Sequence, residues 1–253
     1  MPDTTDEAVL EEPTDNNNYE APDLAIEQKA NLQIFIDAVK SGDTTKIANY
    51  IAFPFEMKHP VPAIKNEDDF LKRFSEVFDD SLIKIISESS VDSNYSAVGW
   101  RGIMLDYGLL WFDETGILFA SNYQTQSELD HQDKLIAHMK TKLHNSVKDF
   151  ERPATLVETK KFRVRIDVLA DQTYRYASWP ITKTMDEAPD LVINNGQYMA
   201  EGTGGNHRYV FKNGKYTYTV WINVIGPDEV PPASLEIEKD GEQILDQDAM
   251  IIE

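Results

Sequence analysis

FRVRIDVLADQTYRYASWP, residues 162–180, decides how the C-terminal part of the chain is built. Phe162, Val164, Ile166 and Val168 alternate with Arg163, Arg165 and Asp167; Tyr174 and Tyr176 alternate with Arg175. A period of two sends successive side chains to opposite faces, so each run reads as a half-buried strand and the second as a partner of the first. Downstream, Asn195-Gly196, Asn213-Gly214 and Asp240-Gly241 each stand between strand-like runs. Such dipeptides tolerate positive φ and read as hairpin turns. Tyr216, Tyr218, Val220, Ile222 and Val224 share one face of the run 215–225, and Pro227, Pro231 and Pro232 mark a loop before a last hairpin over 235–252. About seven short strands at this spacing predict an all-β sandwich or small barrel over residues 153–253.

Upstream the period changes. Ala25, Leu32, Phe35, Ile36 and Val39 recur at helical spacing before Ser41-Gly42, and Asp43 caps a shorter helix. Asn66 opens a third, with Phe70, Phe74, Val77 and Phe78 as its buried stripe. Strands follow over 95–100, 103–112 and 117–124, the last two joined by Asp113-Glu114-Thr115-Gly116. Ser127 caps a long helix to Phe150 whose stripe is Ile136, Met139, Leu143, Val147 and Phe150. Its acids come early and its lysines late, which suits the helix dipole, and Pro153 ends it. Helices followed by an antiparallel meander predict an α+β domain over 23–152.

That domain resembles the cone-shaped fold of ketosteroid isomerases and nuclear transport factor two. The residues that carry the resemblance are 32–50, IAFPF at 51–55, NEDDFLKRF at 66–74 and GLLWFDETGILFASNY at 108–123. It implies an α+β cup, helices on a curved antiparallel sheet, with a pocket in which enzyme members of the family place Asp, His or Tyr. No residue of this chain maps onto such a catalytic position, and Asp106 and Tyr107 fall on opposite faces of their strand. Trp100, Tyr107, Trp111 and Tyr123 are the candidate walls of the pocket.

Composition narrows the function. The 253 residues carry 24 Lys+Arg against 44 Asp+Glu, a formal charge of −20. Nucleic-acid affinity rests on basic clusters that release counterions, and such clusters are missing here, so no nucleic-acid partner is expected. The absence of cysteine removes thiol nucleophiles and thiolate metal sites. No apolar run approaches the length that spans a bilayer, so no membrane insertion is expected. Residues 1–28 hold nine acids and no Lys or Arg, and with Pro2, Pro13 and Pro22 the stretch 1–22 reads as a disordered acidic tether. It is of the kind found behind a bacterial lipid anchor or cleaved signal, which points to a periplasmic or envelope-associated protein with a lipid tether at a missing native N-terminus; a cytoplasmic tail is the alternative.

The motifs that invite chemistry read more plainly as structure. EGTGGNH, 201–207, lies between strands and lacks the Gly-Lys-Ser/Thr ending of a phosphate loop. His131, His138 and His144 share a predicted helix, but His144 falls opposite the other two, so no metal site is assigned. No Gly-x-Ser-x-Gly elbow is present, and no catalytic residue or cofactor is expected. Arg163, Arg165 and Arg175 form a local basic stripe in an acidic chain and are the candidate partner-binding residues, suited to a carboxylate. The sequence thus predicts a non-catalytic binding or interaction protein, with an acidic inhibitor or immunity-like protein for a basic partner as its specific form. The alternative is a small-molecule-binding protein or enzyme using the pocket of the cup.

Overall fold

In the computed structural model, which describes residues 23–227 and 229–252, the helical periodicity becomes two helices of 16 residues and shorter α-helical pieces. Among the described residues they are α1 (Ile26–Ser41), α2 (Thr44–Ala48), α3 (Glu67–Lys72), α4 (Phe74–Val77), α5 (Asp80–Glu88) and α6 (Gln126–Thr141). The strands are β1 (Tyr95–Ala97), β2 (Ile103–Leu105), β3 (Leu110–Phe112) and β4 (Leu118–Ser121), then β5 (Arg152–Thr159), β6 (Phe162–Val168), β7 (Tyr174–Pro180) and β8 (Leu191–Ala200), then β9 (His207–Asn213), β10 (Tyr216–Ile222), β11 (Ala233–Lys239) and β12 (Glu242–Ile251). The acidic tether read over 1–22 lies outside the described residues. The chain divides into two units: residues 23–52 with Ser81–Tyr123, and Phe53–Asp80 with 124–252.

In the first unit α1 buries Leu32, Phe35, Ile36 and Val39 and stops at Gly42, whose φ of 67° a side chain would strain. Asp43 caps α2, accepting from the amides of Thr45 and Lys46. Phe35 meets Phe112 edge-on at 5.0 Å between ring centres, and Tyr95 meets the same ring at 5.8 Å. Strands β1 to β4 form an antiparallel meander. The expected strand over 103–112 is broken in the middle, because Asp106, Tyr107 and Gly108 have φ of 40°, 56° and 93°. Asn94 holds the break, donating from Nδ2 to Asp106 Oδ1 at 2.9 Å, and Asn122 Nδ2 donates to the Gly108 carbonyl at 2.8 Å.

The second unit corrects the fold class. Strands β5 to β12 pair antiparallel in chain order and β12 returns to β5, so the sheet closes into an eight-stranded up-and-down barrel. A cup followed by a sandwich is not formed. The strands of the first sheet are three or four residues long, too short to curve around helices, and the second sheet has closed on itself instead of facing another. Val157, Val164, Ile166, Phe211, Val220, Ala233 and Leu235 point inward and are fully buried, which leaves no water-sized void against them. The barrel interior around these residues is a packed core.

Asn195-Gly196 is not a turn either. It lies inside β8, at a register shift opposite Tyr174, with Asn195 at φ 61°. A β-carbon on Gly196 would stand 2.0 Å from the ring of Phe211, so the glycine makes room for that ring. Asn213-Gly214 and Asp240-Gly241 do turn the chain, between β9 and β10 and between β11 and β12.

Candidate functional site

Helix α6 lies in the same unit as the barrel and is pinned at its N-terminus by buried polar groups. Thr125 caps it, accepting from the Glu128 amide at 3.0 Å and donating to the Glu76 carbonyl at 3.0 Å. Glu128 is buried and accepts from the Lys58 amide at 2.9 Å. Burial holds its carboxyl above the usual range, against the pull of the Lys58 amide and the Gln124 side chain. Burial also raises the Glu76 carboxyl, but Arg73 at 2.8 Å and His131 at 3.1 Å together outweigh it and hold it below the usual range.

Glu128 therefore binds its proton more tightly in the folded chain than in the unfolded one. Its contribution to stability is full below the unfolded carboxylate pKa and is lost as pH rises through the folded value. Glu128→Gln cannot ionise yet retains an acceptor for Lys58. The variant is expected to be more stable than the parent at pH 7, with the difference shrinking towards pH 4. Urea titrations across that range check it; an advantage that grows on acidification contradicts it.

The far end of α6 covers the outer wall of β6 and β7. Ile136, Leu143, Val147 and Phe150 pack on Ala177 and Trp179. Beneath them lies a buried charge cluster. Asp167 accepts from Arg165 Nε at 2.8 Å through one oxygen and from Arg175 Nη2 at 2.8 Å through the other. Arg175 also donates to the carbonyls of Asp149 and Val147, and Arg165 lies over the ring of Phe150 at 4.8 Å. Two guanidinium groups thus share one carboxylate, and one positive charge is left over. Arg165 Nη2 stands 2.7 Å from an Asp167 oxygen, but no acceptor is aligned with its N–H bonds.

Arg165 faces a groove of about 230 Å³. Its apolar wall is Met139 and Leu143 of α6, Pro153 and Leu156 of β5, Met185 and Ile252. Its ionisable lining is Arg165, Lys142, His138 and His59, with no Asp or Glu. In a chain with 44 acids to 24 bases such a lining runs against the composition. A dry wall strengthens the field of each remaining charge, and the leftover cation beneath it favours an anion with an apolar body. Among the described residues no group of three or more His, Asp or Glu is placed to hold a metal ion.

Of the seven residues singled out by sequence, one lines this groove. Arg165 does; Arg175 donates to Asp167 and two carbonyls, its buried Nε having no aligned acceptor, and does not line the groove; Arg163 donates to Glu158 at 2.6 Å and to the Lys183 carbonyl at 2.6 Å. Trp100 and Tyr107 stand exposed at opposite ends of β2, while Trp111 and Tyr123 are half-buried. Sequence reasoning missed Met139, Leu143 and Lys142 as groove residues, because their spacing explains them equally well as helix core and dipole complement. His138, read only within the histidine trio, lines the groove alone of the three; His131 pairs with Glu76 and His144 accepts from the Ser146 amide.

Compared with protein-family models, curated proteins and solved structures, the chain matches none. No helix among the described residues is long and apolar enough to cross a membrane.

Proposed function

We propose that the protein is a non-catalytic binding protein whose groove between α6 and the barrel wall takes up a carboxylate carried on an apolar body. The observation that carries the reading is the pair of buried arginines sharing Asp167, with Arg165 turned to a groove that has cations and hydrocarbon but no acid. An anion seated there meets an unmatched positive charge, and its hydrocarbon displaces water from Met139, Leu143, Leu156 and Met185. The chemistry this reading calls for is recognition of an anion.

The test uses three ligands of equal chain length: octanoate, octanol and octylammonium. Titration calorimetry is expected to show binding of octanoate, weaker binding of octanol and none of octylammonium. Lys142→Glu, at an exposed rim position, is expected to weaken octanoate about tenfold, or about 1.4 kcal/mol. Equal affinity for the anion and the cation, or no octanoate binding, refutes the reading.

A further inference from the structure

The barrel is closed by a short seam. Strand β12 pairs with β5 only from Ala249 to Ile251, so among the described residues the outer edge of Gln243–Asp248 has no strand beside it. Six residues of free edge offer about 20 Å of unpaired backbone donors and acceptors. Natural edges of this length are normally covered or blunted.

The chemistry of this edge is one-sided. On the outer face of the β11–β12 ribbon stand Glu236, Glu238, Asp246 and Asp248, and the single base on either strand is Lys239, opposite Glu242 at the turn. Glu236 lies directly across from Asp246. Like charges facing one another across a ladder destabilise it, so the ribbon keeps a local fault. On the inner face Leu245 is only partly buried, and Gln247 Oε1 is shut away from water without a donor. Ile244, beside the register shift of the ribbon, is 55% exposed.

We infer that the free edge of β12 is a docking strand for an extended, lysine- or arginine-bearing segment of a partner protein. Such a segment continues the place that β5 vacates at Thr159. Its backbone completes the ladder, its basic side chains alternate onto the face of Asp246 and Asp248, and its apolar ones turn towards Leu245. The charge of the occupant follows from the acids: a second copy of this chain presents the same acidic row to itself and is disfavoured. The edge lies on the barrel's seam and shares no residue with the octanoate groove save the strand's neighbour Ile252, so the two readings stand or fall separately.

The experiment is amide hydrogen exchange on the full chain, read by mass spectrometry, with the blocked octapeptide (Lys-Val)4 as probe and (Glu-Val)4 as control. Exchange in the fragment covering 242–248 is expected to slow at least tenfold with the lysine peptide and to stay unchanged with the glutamate peptide. Asp246→Lys with Asp248→Lys is expected to abolish the protection. The same change turns the Glu236 pair into one of opposite charge, so the variant melts no lower than the parent and its lost binding is not lost folding. No protection of 242–248, or equal protection of acidic segments elsewhere, overturns the inference: the first shows an edge that charge merely keeps from aggregating, the second a nonspecific attraction.

Discussion

Asp167→Ala is expected to cost about 3–5 kcal/mol of folding stability, the range for breaking a buried ion pair from one side. Asp167 has no accessible surface, and among the described residues it is the only carboxylate that Arg165 and Arg175 contact within salt-bridge distance. Its removal leaves two guanidinium groups buried under Val147 and Phe150, each a like charge to the other. Arg175 retains the two carbonyls, which solvate it in part; Arg165 retains, among the described residues, the face of Phe150. Asp167→Asn preserves the volume and an acceptor but not the charge, so it falls between parent and alanine variant. Urea unfolding gives the answer, through a midpoint that moves while the slope is unchanged. A double-mutant cycle with Arg165→Met adds the discriminating number. If the carboxylate exists to neutralise the arginines, Asp167→Ala costs less once Arg165 is gone, because one buried charge fewer is stranded. A loss under 1 kcal/mol, or strict additivity with Arg165→Met, shows the cluster to be hydrated and its leftover charge of no account to the groove.

The sequence announced the alternation of β6, β7 and β10 and the turns at Gly214 and Gly241, but between a sandwich and a small barrel it left the closure of the sheet undecided. Closure depends on β5, RPATLVET, where Pro153 in second position reads as the end of a helix. The proline sits at a register shift, where a ladder tolerates a missing donor. Asn195-Gly196 misled for a related reason: the dipeptide that makes a turn also makes a strand irregularity, and the ring of Phe211 on the neighbouring strand β9 decides between them. The long helix to Phe150 stops at Thr141, yet Leu143, Val147 and Phe150 still reach the core through a segment with one 3-10 turn at Asn145–Val147, so the stripe foretold burial better than conformation. Within the candidate site Arg165 was legible as a cation out of keeping with its chain. Its partition from Arg163 and Arg175 was not, because alternation fixes a face and says nothing of which neighbour on that face supplies the carboxylate.

Trp179→Ala separates the groove from the barrel. Trp179 is fully buried on the outer wall of β7, among Leu143, Val147 and Phe150, and its indole N–H donates to the Glu187 carbonyl at 2.8 Å. Truncation removes the ring and leaves a cavity, at an expected cost of about 3–5 kcal/mol. Leu235→Ala, fully buried inside the barrel, costs a similar about 2–5 kcal/mol and serves as the control. The two variants lose stability alike but differ in what their folded molecules retain. Leu143 belongs to the same apolar cluster as Trp179, Met139 and Met185 pack against that cluster, and all three line the groove, so the cavity is expected to let the groove wall collapse inward. None of the groove residues belongs to the packed interior around Leu235. Octanoate affinity, measured well below the melting temperature of both, is therefore expected to fall at least tenfold for Trp179→Ala and to stay within twofold of the parent for Leu235→Ala. Equal losses in the two variants mean that octanoate responds to overall stability and not to the wall that α6 builds with β7, and the groove then loses its claim to be the binding site.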